Sequence, residues 1–134
     1  EAGARLGIRG AGKRYGDLQA IADVSFDVAR NSIVSIVGPS GCGKTTLLWS
    51  MSGLHRLSAG EIVLDGAPIT GPHPEIGLVF QEANLLPWRT LMGNILFPWE
   101  VRRQRPDMAW IAHLIDRVGL KGFERSYPME LSGG

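Results

Sequence analysis

The sequence predicts an α/β protein in which buried strands alternate with helices. Three observations support this fold class. Residues 33–37 form a short apolar run rich in β-branched side chains, residues 45–52 carry apolar side chains at helical spacing, and a glycine-rich segment at 38–45 joins the two. A strand, a loop and a helix in series are the start of an α/β unit.

The composition is that of one globular domain. Of the 134 residues, 44% are hydrophobic and 20% are charged, which is typical of neither a disordered nor a fibrous chain. The net charge of +1, with both signs interspersed, gives no basic stripe for nucleic acid and no polybasic run for a membrane surface. The longest apolar runs are far shorter than the roughly 20 residues of a membrane-spanning helix. A single cysteine cannot form an internal disulfide, so a reducing cytoplasm fits best.

An antiparallel ribbon and a half-buried strand are expected in the N-terminal part. Val24, Phe26 and Val28 alternate with polar residues, which predicts a strand with one face toward water. Asp65-Gly66 falls between two apolar segments, and this pair tolerates the positive φ angles of a tight hairpin. We therefore expect a small antiparallel sheet here.

Two other runs predict strands that are covered on both faces. Residues 33–37 and 76–80 are short and mostly apolar, as strands inside a parallel sheet are. Gln81 then lies where the second of these strands ends.

Two helices are predicted from the spacing of apolar residues. The first occupies residues 45–52, and Gly53 is placed to end it. The second begins near Pro106 and stops before Gly119. Its apolar residues lie at positions i, i+3, i+4 and i+7 and are Ile111, Leu114, Ile115 and Val118.

The glycine-rich segment matches the pattern G-x-x-x-x-G-K-[ST] at every fixed position. Its glycines let the backbone curl, so that successive N–H groups and the start of a helix face one phosphate chain. Lys44 would neutralise the β and γ phosphates, and the hydroxyl of Thr45 would coordinate Mg²⁺. The alternative is a glycine-rich turn that binds nothing, which the flanking strand and helix disfavour. The segment consists of Gly38, Pro39, Ser40, Gly41, Cys42, Gly43, Lys44 and Thr45.

Three further segments each allow two interpretations. Tyr15 is either a face on which a base stacks or an ordinary turn aromatic. Gln81 either reaches a metal ion or a water near the γ phosphate, or is a solvated loop residue. Ser132, Gly133 and Gly134 either bind an anion at the start of a helix or form a flexible linker.

A zinc site and a cysteine nucleophile are not expected. His55, His73 and His113 lie far apart in the sequence, and no cysteine or carboxylate stands at ligand spacing from them. Cys42 occupies a variable position of the loop and has no histidine placed as its base.

Together, these segments resemble the ATP-binding-cassette (ABC) transporters. Tyr15, residues 38–46, Gln81 and residues 131–134 follow the order and approximate spacing of the aromatic loop, Walker A motif, Q-loop and signature motif of that family. The resemblance implies a P-loop NTPase core with an N-terminal antiparallel β subdomain. It assigns residues 1–83 to these parts and residues 84–134 to the Q-loop and the start of a helical subdomain.

The resemblance also implies the role of each residue at the nucleotide. Tyr15 would stack on the adenine of ATP, and the Walker A residues, extended to Thr46, would hold the phosphates. Lys44 and Gln81 would take part in catalysis, and Thr45 and Gln81 would coordinate Mg²⁺.

Partners are implied in the same way. Two cassettes of this family pack head to tail, so that Ser132, Gly133 and Gly134 would close over the nucleotide of a second ATPase subunit. Three segments are similar to importer cassettes of the nitrate, sulfonate and taurine group: residues 79–82, residues 85–88 and Asn94-Ile95. In that group the apolar loop 85–88 contacts a transmembrane permease, which receives its solute from a periplasmic or extracellular binding protein. The subunit would lie peripherally on the cytoplasmic face of the cell membrane.

The chain stops before the part of the family pattern that activates water. The Walker B strand with its aspartate and glutamate, and the switch histidine, would follow residue 134. We therefore expect a fragment that does not hydrolyse ATP alone. Two alternatives remain: a P-loop kinase or GTPase, and a cassette that binds or regulates a partner without transport.

Overall fold

The computed structural model describes residues 5–131. Contacts within the chain define two compact units, Glu1–Val79 and Phe80–Gly134.

The first unit is built on a four-stranded antiparallel sheet with the strand order β2-β1-β3-β4. Its strands are β1 (Leu6–Tyr15), β2 (Leu18–Val28), β3 (Ala59–Leu64) and β4 (Ala67–Pro68). The predicted ribbon is confirmed, because β3 and β4 pair across Asp65 and Gly66, whose φ angles are 48° and 83°. The strand predicted around Val24 to Val28 is confirmed as the second half of β2.

The core of this sheet lies on one face of its central strands. Ile8 and Ala11 of β1 are fully buried, and Ile62 of β3 is nearly so. Phe26 of β2 and Met51 pack against this cluster. The alternation of apolar and polar residues along the strands therefore directs one face of the sheet inward.

Three charged residues tie β1 and β2 together at their exposed ends. Asp27 accepts hydrogen bonds from the guanidinium groups of Arg9, at 2.7 Å, and Arg5, at 2.8 Å. These two bonds lower the pKa of the Asp27 carboxyl below its ordinary value of 3.8, and the bond from Arg9 has the larger effect.

Helix α1 (Lys44–Met51) confirms the first predicted helix. Gly53 follows it with a φ of 83°. A side chain on Gly53 would meet the backbone of Gly71 and Pro72. Glycine thus both ends the helix and permits this close approach.

The prediction of two buried strands at 33–37 and 76–80 is wrong for this structure. Both runs are irregular, and Ile33 is 97% exposed, Val37 88% and Val79 96%. A strand of a parallel sheet needs neighbours that complete its hydrogen-bond ladder. Within residues 5–131 no strand pairs with either run, so their apolar side chains stay in contact with solvent.

The second unit contains two helices, α2 (Leu91–Arg102) and α3 (Met108–Arg117), and a 3₁₀ turn at Pro128–Glu130. Helix α3 confirms the second predicted helix, but only Ile111 and Ile115 of its apolar residues are buried. Leu114 is 43% exposed and Val118 68%. The buried stripe of α3 is therefore narrower than its sequence pattern predicts.

Helix α2 was not predicted. The side chain of Thr90 caps it by accepting a hydrogen bond from the backbone N–H of Gly93 at 3.1 Å. The N–H groups of Leu91 and Met92 donate to the carbonyls of Ser126 and Glu124. Its first turn is thus held by the segment that follows α3. In residues 5–131 no helix is long and apolar enough to cross a bilayer.

Candidate nucleotide-binding site

The glycine-rich loop leads directly into α1, so the helix starts at Lys44. Gly43 precedes it with a φ of 99°, in the left-handed region. A Cβ at this position would also collide with the carbonyl oxygen of Ala20 on β2. Backbone conformation and space therefore both require glycine at position 43.

The Lys44 side chain folds back over the loop from which its helix starts. Its Nζ donates to the carbonyl oxygens of Gly38 and Pro39, the latter at 2.7 Å, and lies 3.6 Å from Sγ of Cys42. The loop thus holds a positive charge against its own backbone, where an anionic ligand would meet it.

The N-terminus of α1 differs from those of the other two helices. Thr90 caps α2 and Asp107 caps α3 through side-chain oxygens, whereas Gly43 supplies no such cap to α1. The first turn of α1, which begins Lys44-Thr45-Thr46, also lacks an acidic residue. Its N–H groups and the positive end of its dipole are thereby available to phosphate oxygens.

The hairpin formed by β1 and β2 borders the loop. Tyr15 ends β1 and pairs with Leu18, and Ala20 lies two residues further along β2, against Gly43. A cavity of about 280 Å³ lies between β2 and the loop, lined among others by Ile21, Val37, Lys44 and Leu47. The structure thus places Tyr15 on the element that touches the phosphate loop.

Tyr15 itself is 42% exposed. Its hydroxyl forms a hydrogen bond of 2.8 Å with Nδ1 of His55. The ammonium of Lys13 lies 5.1 Å from the centroid of its ring. Sequence patterns did not connect Tyr15 with His55, because 40 positions separate them.

The residues present suit a magnesium ion that is bound together with phosphates. Within residues 5–131 no cluster of three histidine, cysteine or carboxylate side chains can hold a metal ion. Mg²⁺ commonly binds proteins through one or two ligands, with phosphate oxygens and water completing its shell. The exposed hydroxyl of Thr45, next to Lys44, fits such a shared shell.

The remaining predicted site residues are Gln81 and residues 132–134. Gln81 is exposed in a bend at the start of the second unit. Ser132, Gly133 and Gly134, predicted as signature residues, lie outside the described part of the chain.

The apolar loop 85–88 is exposed but well anchored. Leu85 is 43% exposed and Trp88 70%. The Asn94 side chain of α2 accepts from the N–H of Leu86 at 2.8 Å and donates to the carbonyls of Leu86, Arg89 and Thr90 at 3.0 to 3.1 Å. This anchoring role of Asn94 was not predicted, because its partners are set by the fold of the loop.

Fold and loop together place the chain in the α/β class of P-loop NTPase folds. A family model described as "ABC transporter" matches residues 21–134. The chain belongs to the ABC transporter family.

Two similar proteins are import ATP-binding proteins by name. An aliphatic sulfonates import ATP-binding protein of Burkholderia cenocepacia is 43% identical over 129 residues, which are 96% of this chain and 47% of the relative. A taurine import ATP-binding protein of Yersinia pestis is 41% identical over 131 residues, covering 96% of this chain and 51% of the relative. The chain spans about half the length of the curated relatives it matches.

A solved structure shares the fold. The dimeric post-hydrolysis state of the ATP-binding cassette MJ0796, bound to ADP and Pi, superposes with a TM-score of 0.77 at 24% identity. The match covers 96% of this chain and 63% of that one.

Proposed function

We propose that this chain is the nucleotide-binding part of an ATPase subunit that powers an ABC importer. The observation that carries the proposal is the loop at residues 38–45. Its lysine ammonium lies against the loop backbone, and the helix that follows has an N-terminus without a side-chain cap. This arrangement suits the phosphates of ATP.

Each loop residue would have a distinct task at the nucleotide. Lys44 would exchange its carbonyl partners for oxygens of the β and γ phosphates, and Thr45 and Gln81 would hold Mg²⁺. When bound, that ion would neutralise part of the phosphate charge. Tyr15 would stack on adenine, because part of its surface is exposed on the hairpin that borders the loop.

A second subunit would complete the site. In the proposed head-to-tail dimer, Ser132, Gly133 and Gly134 of one subunit approach the γ phosphate bound to the other. The dimeric state of the similar cassette supports such an arrangement. Hydrolysis would further require the Walker B carboxylates that the family pattern places after residue 134.

A permease would contact the exposed loop at 85–88. Leu85 and Trp88 expose apolar surface that Asn94 holds in a fixed backbone conformation. Burial of such surface against a membrane subunit would favour association. The ATPase would thereby lie at the cytoplasmic face of the membrane and act only indirectly on the solute-binding protein.

The proposed solute is a small anion of the nitrate, sulfonate and taurine group. The names of the Burkholderia and Yersinia relatives support a sulfonate or taurine. The test is uptake of labelled taurine, an alkanesulfonate and nitrate by cells that carry Lys44→Ala in the chromosomal gene. Loss of sulfonate uptake is expected, and unchanged uptake of all three would contradict the proposed cargo.

The ATPase proposal is tested with Lys44→Ala in the full-length protein. ATP hydrolysis should fall to background, while Lys121→Ala, which removes an exposed lysine of the second unit, should retain it. Retained turnover in the Lys44 variant would refute the phosphate site. A preference for GTP would indicate another P-loop enzyme, and failure to co-purify with a multi-span membrane protein would indicate a cassette without transport function.

A further inference from the structure

Tyr15 and His55 form a side-chain pair at the edge of the candidate site. The Tyr15 hydroxyl lies 2.8 Å from Nδ1 of His55, and their rings meet edge to face with centroids 6.2 Å apart. A phenol can turn about two side-chain torsions, and this bond at its far end restricts both.

His55 is itself fixed by the helix that starts at the phosphate loop. Its ring meets the Trp49 ring of α1 at 67°, with centroids 4.8 Å apart. Its backbone N–H also donates to the Trp49 carbonyl at 3.3 Å. Both the side chain and the backbone of His55 thus follow the position of α1.

Lys13 makes a second connection between the same two segments. Its ammonium lies over the Tyr15 ring and donates to the carbonyl of Arg56, the residue after His55. One face of the Tyr15 ring is therefore covered by a cation. The remaining exposed surface suits a planar ring system better than a second cation.

We propose that His55 is a positioning residue that holds Tyr15 ready for the base of the nucleotide. Helix α1 begins at the phosphate loop. Near its other end, Trp49 contacts His55, which in turn holds the Tyr15 ring on which the base would stack. A platform that is ordered before binding loses less conformational freedom when the base stacks on it. This inference rests on the proposed function, because it takes Tyr15 as the adenine-stacking residue.

The test compares two ligands of the full-length protein by calorimetry, Mg-ATP and inorganic tripolyphosphate, which has no base. His55→Ala should weaken ATP binding by about five-fold, the effect of one hydrogen bond, and leave tripolyphosphate binding unchanged. Tyr15→Phe keeps the ring and removes the hydroxyl, so it should reproduce this loss. The double variant should lose little more than either single variant, because both remove the same bond.

Two further variants separate positioning from a structural role. His55→Asn offers a polar atom near the position of Nδ1 and should recover most of the ATP affinity. His73→Ala serves as the control, because its ring accepts a local bond from the N–H of Glu75, two residues further along the chain. The inference would be overturned if His55→Ala weakened the binding of both ligands equally. It would also be overturned if neither His55→Ala nor Tyr15→Phe weakened ATP binding. Lys44→Ala must weaken both ligands; if it weakens neither, the proposed function itself fails.

Discussion

Gly43 lies directly against the carbonyl oxygen of Ala20, so that the phosphate loop and β2 meet backbone to backbone. The contact joins the start of α1 to the hairpin that carries Tyr15. Any side chain at position 43 would collide with that oxygen. The phosphate loop and the β1–β2 hairpin can therefore pack this closely only because residue 43 has no Cβ.

Gly43→Ala should therefore cost more than its unusual φ angle alone. A left-handed alanine costs about 1 to 2 kcal/mol, and the collision with Ala20 adds to that figure. Gly66→Ala is the matched control, because Gly66 also has a positive φ of 83° but has open space around its Cβ position. Urea unfolding should show the larger loss for Gly43→Ala, with loss of ATP binding in that variant only. Equal costs would show that the Ala20 contact is unimportant.

Replacing Asn94 should free the loop at 85–88. Asn94→Ala removes the acceptor for the Leu86 N–H and the donors to three carbonyls, which should cost about 1 to 3 kcal/mol of unfolding free energy. Asn94→Asp keeps the acceptor and loses the donors. Hydrogen exchange should therefore speed up at the Leu86 amide in the alanine variant and stay slow in the aspartate variant. Slow exchange at the Leu86 amide in both variants would show that the Asn94 side chain does not hold the loop. Gln104→Ala, which removes an exposed amide just past α2, is the control.

Trp88→Ala should separate partner binding from stability. At 70% exposure, its side chain contributes little to folding, so we expect a change within about 0.5 kcal/mol. Recovery of the proposed permease with the ATPase should fall, because a large apolar contact is lost. Trp110→Ala, which removes a 55% exposed tryptophan of α3, should leave recovery unchanged. Equal recovery with both variants would move the permease contact away from the loop.

Asp27 should make stability depend on pH in the acid range. Its pKa is lowered in the folded state by hydrogen bonds from Arg9 and then Arg5. The contribution of Asp27 is therefore complete above the ordinary value of 3.8 and is lost as the pH falls through the lower folded-state value.

The measurement is urea unfolding of the natural protein and Asp27→Asn from about pH 5 to about pH 2. The stability difference between them should shrink with acidification. Asp116→Asn removes an exposed carboxyl of α3 and is the control. A difference that stays constant across this range would show that the arginines do not favour the charged form of Asp27.

Local patterns predicted α1, α3, the β3–β4 ribbon and the second half of β2, but not β1. The Asp65-Gly66 turn and the ends of α1 and α3 follow from neighbouring residues, whose preferences act over one or two turns of chain. The phosphate-loop pattern likewise placed glycine at position 43, where the backbone has a positive φ, because this pattern is contained in eight consecutive residues.

Features that need distant partners were beyond such patterns. The apolar runs at 33–37 and 76–80 have strand-like composition, yet pairing depends on neighbouring strands. Helix α2 escaped prediction because Gly93 and Pro98 interrupt its sequence, while a cap at Thr90 and contacts from residues 124–126 hold it. The pairing of Tyr15 with His55 arises only once folding brings the end of β1 next to the turn that follows α1.

Because Lys44 is already bonded to the carbonyl oxygens of Gly38 and Pro39, anion binding at the loop is an exchange of partners. The binding free energy that Lys44 contributes is therefore only the difference between its interaction with the ligand oxygens and its interaction with these two carbonyls. That difference grows with anionic charge density, so the loop should favour triphosphates over monoanions of similar size. A sulfonate carries a single negative charge. The proposed solute of the importer would therefore compete poorly with ATP for binding at this loop.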